Sequence, residues 1–169
     1  MKLVDLSLTE FAQVLGSDAP APGGGSAAAL SAANGISLTK MVCELTLGKK
    51  KYAEFEAEIA QVHAESTRLQ EGLLAAIDKD TEAFNLVSAV FDMPKETEED
   101  KVARREAMQQ ALKEATKSPY GMMEDILAAL QTTQKAVGKS NTNAASDLGV
   151  AALKLPRSEE RRVGKECRS

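Results

Sequence analysis

The chain has 169 residues, with 21 Lys and Arg against 25 Asp and Glu, and a formal net charge of -4. Hydrophobic residues are 43% and charged residues 27%, the balance of a globular domain with a real core. Two Cys and one His exclude a zinc-ribbon or disulfide scaffold, and acidic charge with 4% aromatics and no Trp argues against a nucleic-acid partner.

Taken in chain order, helices are predicted nearly everywhere, and no period-two strand stands out. Ser7 and Glu10 have capping-box spacing, so a short helix is expected over 8–15, stopped at Gly16. The stretch SDAPAPGGGS, residues 17–26, reads as a loop. Ser26 is the expected N-cap of a helix over 27–47 that Gly48 ends. That helix is crowded with Ala27, Ala28, Ala29, Ala32, Ala33 and Gly35, so neighbours can approach it closely and it should sit centrally. A very long helical pattern then runs from Tyr52 to about Phe91, with Phe55, Ile59, Val62, Ser66, Leu69, Leu73 and Ile77 at spacings of three and four. Gly72 or the triplet Asp78-Lys79-Asp80 is where it is expected to bend or break. A capped helix is expected from near Thr97 to Lys117, a break at SPYG with Pro119 in the first turn of the next helix, and that helix over 122–137. GKSNTN is a polar loop with Thr142 or Asn143 as cap, and a last helix is expected over 144–155. The fold class is therefore all-α, a multi-helix array with one very long central helix.

The final string, RSEERRVGKECRS, changes composition abruptly and resembles the translated read-through of a sequencing-library adapter. The expected domain is then 1–156, with 157–169 an artefact and Cys43 the lone natural thiol, as suits a reducing cytoplasm. The alternative is a basic tail for an acidic partner. No apolar run approaches the roughly 18 residues of a membrane span. Asp5 and Glu10 interrupt any signal-peptide core.

Several clusters could carry chemistry. Gly23, Gly24 and Gly25 precede Ser26 at a helix start, where backbone N–H groups can approach an anion. The same glycines equally suit a tight turn where helices cross. No Lys-Ser/Thr follows them, so this is not a Walker A loop. Lys49, Lys50 and Lys51 follow Gly48 and read either as a solvated turn or as a carboxylate-recognition cluster. Asp78, Asp80 and Glu82 are three acids in five residues; on a helix Asp78 and Glu82 share a face, and Asp80 lies about 200° away from Asp78. One subset can line a pocket and act as a general acid or base. Asn141, Asn143, Ser146 and Asp147 form a polar cluster that reads either as capping or as a site. His63 is expected on a helix flank without a role, and Cys43 in the core.

The segment PAPGGGSAAALSAANGISLTKMVCELTLGKKKY resembles the signature of the cyclodeaminase/cyclohydrolase family. The acidic block Asp78 to Phe84, the loop Pro94-Lys95 with Thr97 to Glu99, and Asn141, Asn143, Ser146-Asp147 and Gly149 to Ala152 follow in the family's order. Family members continue into further helix, so the resemblance implies a chain incomplete at its C-terminus. It also implies an all-helical homodimer in the cytoplasm, acting on a one-carbon tetrahydrofolate without metal or cofactor. The favoured reaction is hydrolysis of 5,10-methenyltetrahydrofolate to 10-formyltetrahydrofolate. The alternative is cyclodeamination of 5-formiminotetrahydrofolate with release of ammonia. A non-catalytic helical dimerisation or ligand-binding module is a further alternative. The resemblance points to Asp80 as the general acid/base, with Asp147 second. The glycine loop, Gly23, Gly24, Gly25 and Ser26, together with Lys49 and Lys50, would hold the folate's glutamate carboxylates or frame its pterin, and Asn143 would also contact substrate.

Overall fold

The computed structural model describes the backbone of residues 2–166 and the side chains of residues 2–156. The side chains of the expected appended stretch, Cys167 among them, lie outside the described residues. All regular structure among the described residues is helical, as expected. The α-helices are α1 (Leu8–Leu15), α2 (Gly24–Glu44), α3 (Glu56–Phe91), α4 (Glu98–Ala136) and α5 (Ala145–Glu166). Short 3-10 helices occupy Leu3–Asp5, Lys50–Phe55 and Thr142–Ala144. No helix among the described residues is long and apolar enough to cross a membrane.

The chain divides into two compact units, Met1–Ala27 with Ala75–Met122, and Ala28–Leu74 with Met123–Ser169. The first holds α1, the glycine loop with the first turn of α2, the C-terminal part of α3 and the N-terminal part of α4. Ser7 and Glu10 form the capping box that starts α1: Ser7 Oγ accepts from the Glu10 N–H at 3.2 Å, and Glu10 Oε2 accepts from the Ser7 N–H at 2.8 Å. That helix buries Phe11, and the Leu3 N–H reaches Asp78 Oδ1 at 2.6 Å, which ties the N-terminal 3-10 turn to α3. Thr97 and Asp100 exchange the corresponding pair of bonds, both 3.0 Å, at the start of α4.

In the second unit the small-residue helix is central, as its composition predicts. Ala29, Ala32, Ile36, Thr39, Val42 and Cys43 are fully buried. A methyl group on Gly35 would stand 3.1 Å from Leu155 Cγ, so α2 and α5 pack at glycine distance there. Val42 and Cys43 join Ile59, Val62, Ala136, Ala144 and Leu148 in one apolar cluster. Burial pushes the Cys43 thiol up to about 11, with Glu44 adding a smaller like-charge effect. The expected helix-flank His63 is partly exposed and bonds Glu44 Oε1 through Nε2 at 2.6 Å.

Five boundaries differ from expectation. First, α2 begins at Gly24, so Ser26 is in its first turn rather than capping it; Ser26 Oγ instead donates to the Ile77 carbonyl at 2.8 Å. Second, α2 stops at Glu44 and the chain turns before Gly48, whose φ of +73° suits glycine. A 3-10 segment holding Tyr52 then delays α3 to Glu56. Third, neither Gly72 nor Asp78–Asp80 interrupts α3, because Leu69, Leu73, Ala76, Ile77 and Ala83 keep one buried stripe in phase through both. Fourth, α4 passes straight through Pro119 and ends at Ala136. Its buried residues Ala111, Met122, Ile126, Ala129, Thr133 and Ala136 keep helical phase across the proline. A proline inside a helix removes one rung of the ladder, and the common stripe holds the rest. Fifth, Asn141 rather than Thr142 or Asn143 caps the turn before α5, and α5 itself continues past Pro156 to Glu166.

Candidate functional site

The first unit brings the glycine loop and the acidic block together. The α2 N-terminus presents backbone N–H groups that lack helical partners. The Ser26 N–H donates to Asp80 Oδ2 at 3.0 Å. Ser26 Oγ also stands 3.3 Å from Thr81 Oγ1, so α3 holds the loop at three successive points, Ile77, Asp80 and Thr81. The helix dipole favours a carboxylate at this end. Gly25 is where closeness is decisive. A methyl group there would stand 2.1 Å from Asp80 Oδ1 and 2.2 Å from its Cγ and Oδ2. Real Cβ atoms do not come so close, so the carboxylate occupies space that only glycine leaves open.

A cavity of about 340 Å³ opens beside this contact. Gly23, Gly24, Asp80 and Thr81 line its polar side, and Phe84, Val87 and Ala115 line its apolar side. Of the three acids, Asp80 alone lines the cavity. Asp78 turns to the Leu3 N–H and Glu82 is exposed, in keeping with their position across the helix. The sequence reading missed Thr81, Phe84 and Val87 as wall residues. The signal was present: Ile77, Asp80, Thr81, Phe84 and Val87 recur at the three- and four-residue spacing of one helix face.

Lys49, Lys50, Asn143 and Asp147 belong to the second unit. Lys49, Lys50 and Asn143 are exposed, and Asp147 is half-buried in the first turn of α5. Around them the structure builds a second polar knot. The Asn141 N–H donates to Thr46 Oγ1 at 2.9 Å, and its Nδ2 donates to the Leu45 carbonyl at 3.0 Å. Its Oδ1 accepts from the Asn143 N–H at 3.1 Å. The Thr142 N–H donates to Tyr52 Oη at 3.1 Å. The bond with Thr142 Oγ1, then that from the Thr142 N–H, and then the nearby Lys51 hold the Tyr52 phenol down at about 8. The knot thus fastens the Leu-Thr-x-Gly-Lys-Lys-Lys-Tyr stretch to the Asn-Thr-Asn turn. A mostly apolar groove of about 730 Å³ borders it, edged by Gln131, Gln134, Asn141 and Thr142 and lined by no carboxylate. Among the described residues no three His, Cys, Asp or Glu side chains converge into a metal-binding group.

The segments that make these polar contacts are among those on which the family resemblance rests. The profile of the formiminotransferase-cyclodeaminase family matches residues 7–158. The chain belongs to that family. Among curated family relatives, the methenyltetrahydrofolate cyclohydrolase of Methylorubrum extorquens is 43% identical over 147 residues, covering 87% of this chain and 71% of that protein. The formimidoyltransferase-cyclodeaminase of Sus scrofa is 32% identical over 157 residues, 90% of this chain but only 28% of that longer protein. The crystal structure of formiminotetrahydrofolate cyclodeaminase from Thermotoga maritima matches with a TM-score of 0.74 at 25% identity, over 95% of this chain and 81% of that one. The all-helical fold is therefore the family's fold.

Proposed function

We propose that this chain hydrolyses 5,10-methenyltetrahydrofolate to 10-formyltetrahydrofolate. The observation that carries the proposal is the 43% identity to the Methylorubrum cyclohydrolase over 87% of the chain. The substrate is a cationic amidinium whose carbon between N5 and N10 is already electrophilic. The protein then needs only to orient it, admit one water and accept one proton. Asp80 is the proposed base. Water oxygen bonds to the methenyl carbon as Asp80 takes a water proton. The resulting hydroxyl adduct collapses by breaking the bond from carbon to N5, its hydroxyl proton is lost as N5 gains one, and the formyl group stays on N10. One water is consumed and one proton released. The α2 N-terminus and the Ser26 N–H keep the carboxylate aimed along the cavity wall, and Gly23 and Gly24 leave backbone exposed to the substrate. Asp147 is the second candidate for the acid/base, and Asn143 is a candidate for substrate contact. Such an enzyme would work in the cytoplasm as a homodimer, which light scattering on the purified chain tests.

The test is loss of the methenyl ultraviolet absorbance above the buffer-only rate. Acceleration that falls about 10²–10⁴-fold in Asp80→Asn supports both reaction and base. Acceleration untouched by Asp80→Asn removes Asp80 from the mechanism. No acceleration by the unaltered chain overturns the reaction.

The relatives named as cyclodeaminases favour a second reading. There N10 attacks the formimino carbon of 5-formiminotetrahydrofolate, ammonia leaves, and the same carboxylate would protonate the departing nitrogen. Ammonia release from that substrate, absent in Asp80→Asn, distinguishes it.

A further inference from the structure

We infer that Thr81 is the positioning residue that aims the attacking water at the substrate carbon. The inference deepens the hydrolysis reading above and rests on it. Among the described residues that line the Asp80 cavity, Asp80 and Thr81 alone carry polar side chains. The rest of the wall is glycine backbone, Pro20 and apolar surface such as Phe84, Val87 and Ala115. A water that enters therefore finds its side-chain partners at two adjacent positions of α3.

The protons of two hydroxyls decide what Thr81 offers. Ser26 is fully buried, and its single hydroxyl proton goes to the Ile77 carbonyl at 2.8 Å, an oxygen that can only accept. At the 3.3 Å contact between Ser26 Oγ and Thr81 Oγ1, the donor is then Thr81. With its one proton turned to Ser26, Thr81 meets the cavity as an acceptor. Asp80, as the base, is an acceptor too. Two adjacent acceptors suit a molecule that brings two protons. Water bonded through one O–H to Asp80 and through the other to Thr81 has only its lone pairs left to face the substrate.

The step makes use of that arrangement. The water oxygen bonds to the methenyl carbon while Asp80 removes one proton. The second proton stays on the new hydroxyl group and keeps its bond to Thr81. The positive charge of the amidinium and the negative charge of the carboxylate are both lost, so the step balances with no further reagent. Without the Thr81 acceptor the water keeps one bond and swings about it, and a lone pair is aimed at the carbon less often. Cyclodeamination makes no such demand, because its nucleophile is N10 of the substrate itself. Thr81 therefore serves the reaction that consumes water and not the one that releases ammonia.

The experiment compares the full chain with Thr81→Val and Thr81→Ser. It follows loss of the methenyl absorbance and, separately, ammonia release from 5-formiminotetrahydrofolate. Valine keeps the shape and removes the acceptor, whereas serine keeps the acceptor. Circular dichroism checks the fold, and Thr81→Ala, which favours helix and also lacks the hydroxyl, stands in for Thr81→Val should that variant not fold. The expected result is a fall of about 10–100-fold in kcat for hydrolysis in Thr81→Val, with KM unchanged and Thr81→Ser within about threefold of the unaltered chain. Any ammonia release is equal in all three proteins. Unchanged hydrolysis in Thr81→Val overturns the role of Thr81 and leaves the hydrolysis reading standing. Equal loss in Thr81→Val and Thr81→Ser, a parallel fall in ammonia release, or a rise in KM alone does the same, because packing or plain substrate contact gives those results. No hydrolysis by the unaltered chain overturns the hydrolysis reading and the role of Thr81 together.

Discussion

Replacing Gly25 with alanine tests the contact on which the candidate site depends. An alanine early in a helix ordinarily stabilises by about 0.4–1 kcal/mol relative to glycine. At Gly25 the added methyl meets the Asp80 carboxylate at 2.1–2.2 Å, so the carboxylate must swing away. It then forfeits the bond from the Ser26 N–H, a charge-assisted hydrogen bond worth about 1.5–3 kcal/mol. The half-exposure of Asp80 favours the lower part of that range. Gly25→Ala is therefore expected to destabilise by about 1–2 kcal/mol where the local propensity alone predicts a gain. In an Asp80→Ala background the three atoms nearest the added methyl are gone, and the same substitution is expected to move toward its ordinary gain. Urea unfolding of the four proteins closes a double-mutant cycle with a coupling of about 1.5–3 kcal/mol. Catalysis gives a second readout, because Gly25→Ala displaces the proposed base and lowers turnover without removing it. Equal stabilisation by Gly25→Ala in both backgrounds would refute the reasoning, since Asp80 would then not occupy the glycine's open face.

Three further expectations follow from the structure. Of the two tyrosines, Tyr52 ionises near 8, so an alkaline titration of the tyrosinate band shows an early step that Tyr52→Phe removes and Tyr120→Phe keeps. The sign follows from a phenol pKa lower in the folded chain than its ordinary 10: Tyr52's contribution is complete above about pH 10 and lost as pH falls through about 8, so urea midpoints rise over that window unless position 52 is Phe. Cys43, buried with its thiol raised to about 11, resists iodoacetamide at pH 8 in a Cys167→Ser background and reacts once urea unfolds the chain; ready alkylation of the folded protein would contradict its burial. Pro119→Ala restores a helical N–H inside α4 and is expected to raise stability by about 1–3 kcal/mol in thermal melts, whereas a loss would show that the ring's packing outweighs the missing rung.

The capping box of α1, the central small-residue helix, the buried Cys43 and the split between Asp78 and Asp80 on opposite faces of α3 are all legible in the chain itself. Each is decided within a few residues, by side-chain reach to the neighbouring backbone or by helical periodicity. Pro119 shows where such local reading fails. Its flanks SPYG look like a stop, yet the apolar stripe of α4 runs in phase on both sides of it. Burial of that whole stripe outweighs one lost hydrogen bond.

The site divides in the same way. Sequence alone supplies a run of glycines before a helix and a carboxylate of suitable chemistry 55 residues after Gly25. Only the tertiary structure decides that Gly25 and Asp80 meet, that Ser26 serves α3 instead of capping its own helix, and that Thr81, Phe84 and Val87 wall the cavity. Local rules fix which backbone groups a helix end leaves unpartnered. Which distant side chain satisfies them depends on how the helices pack, and here that partner is the carboxylate of Asp80.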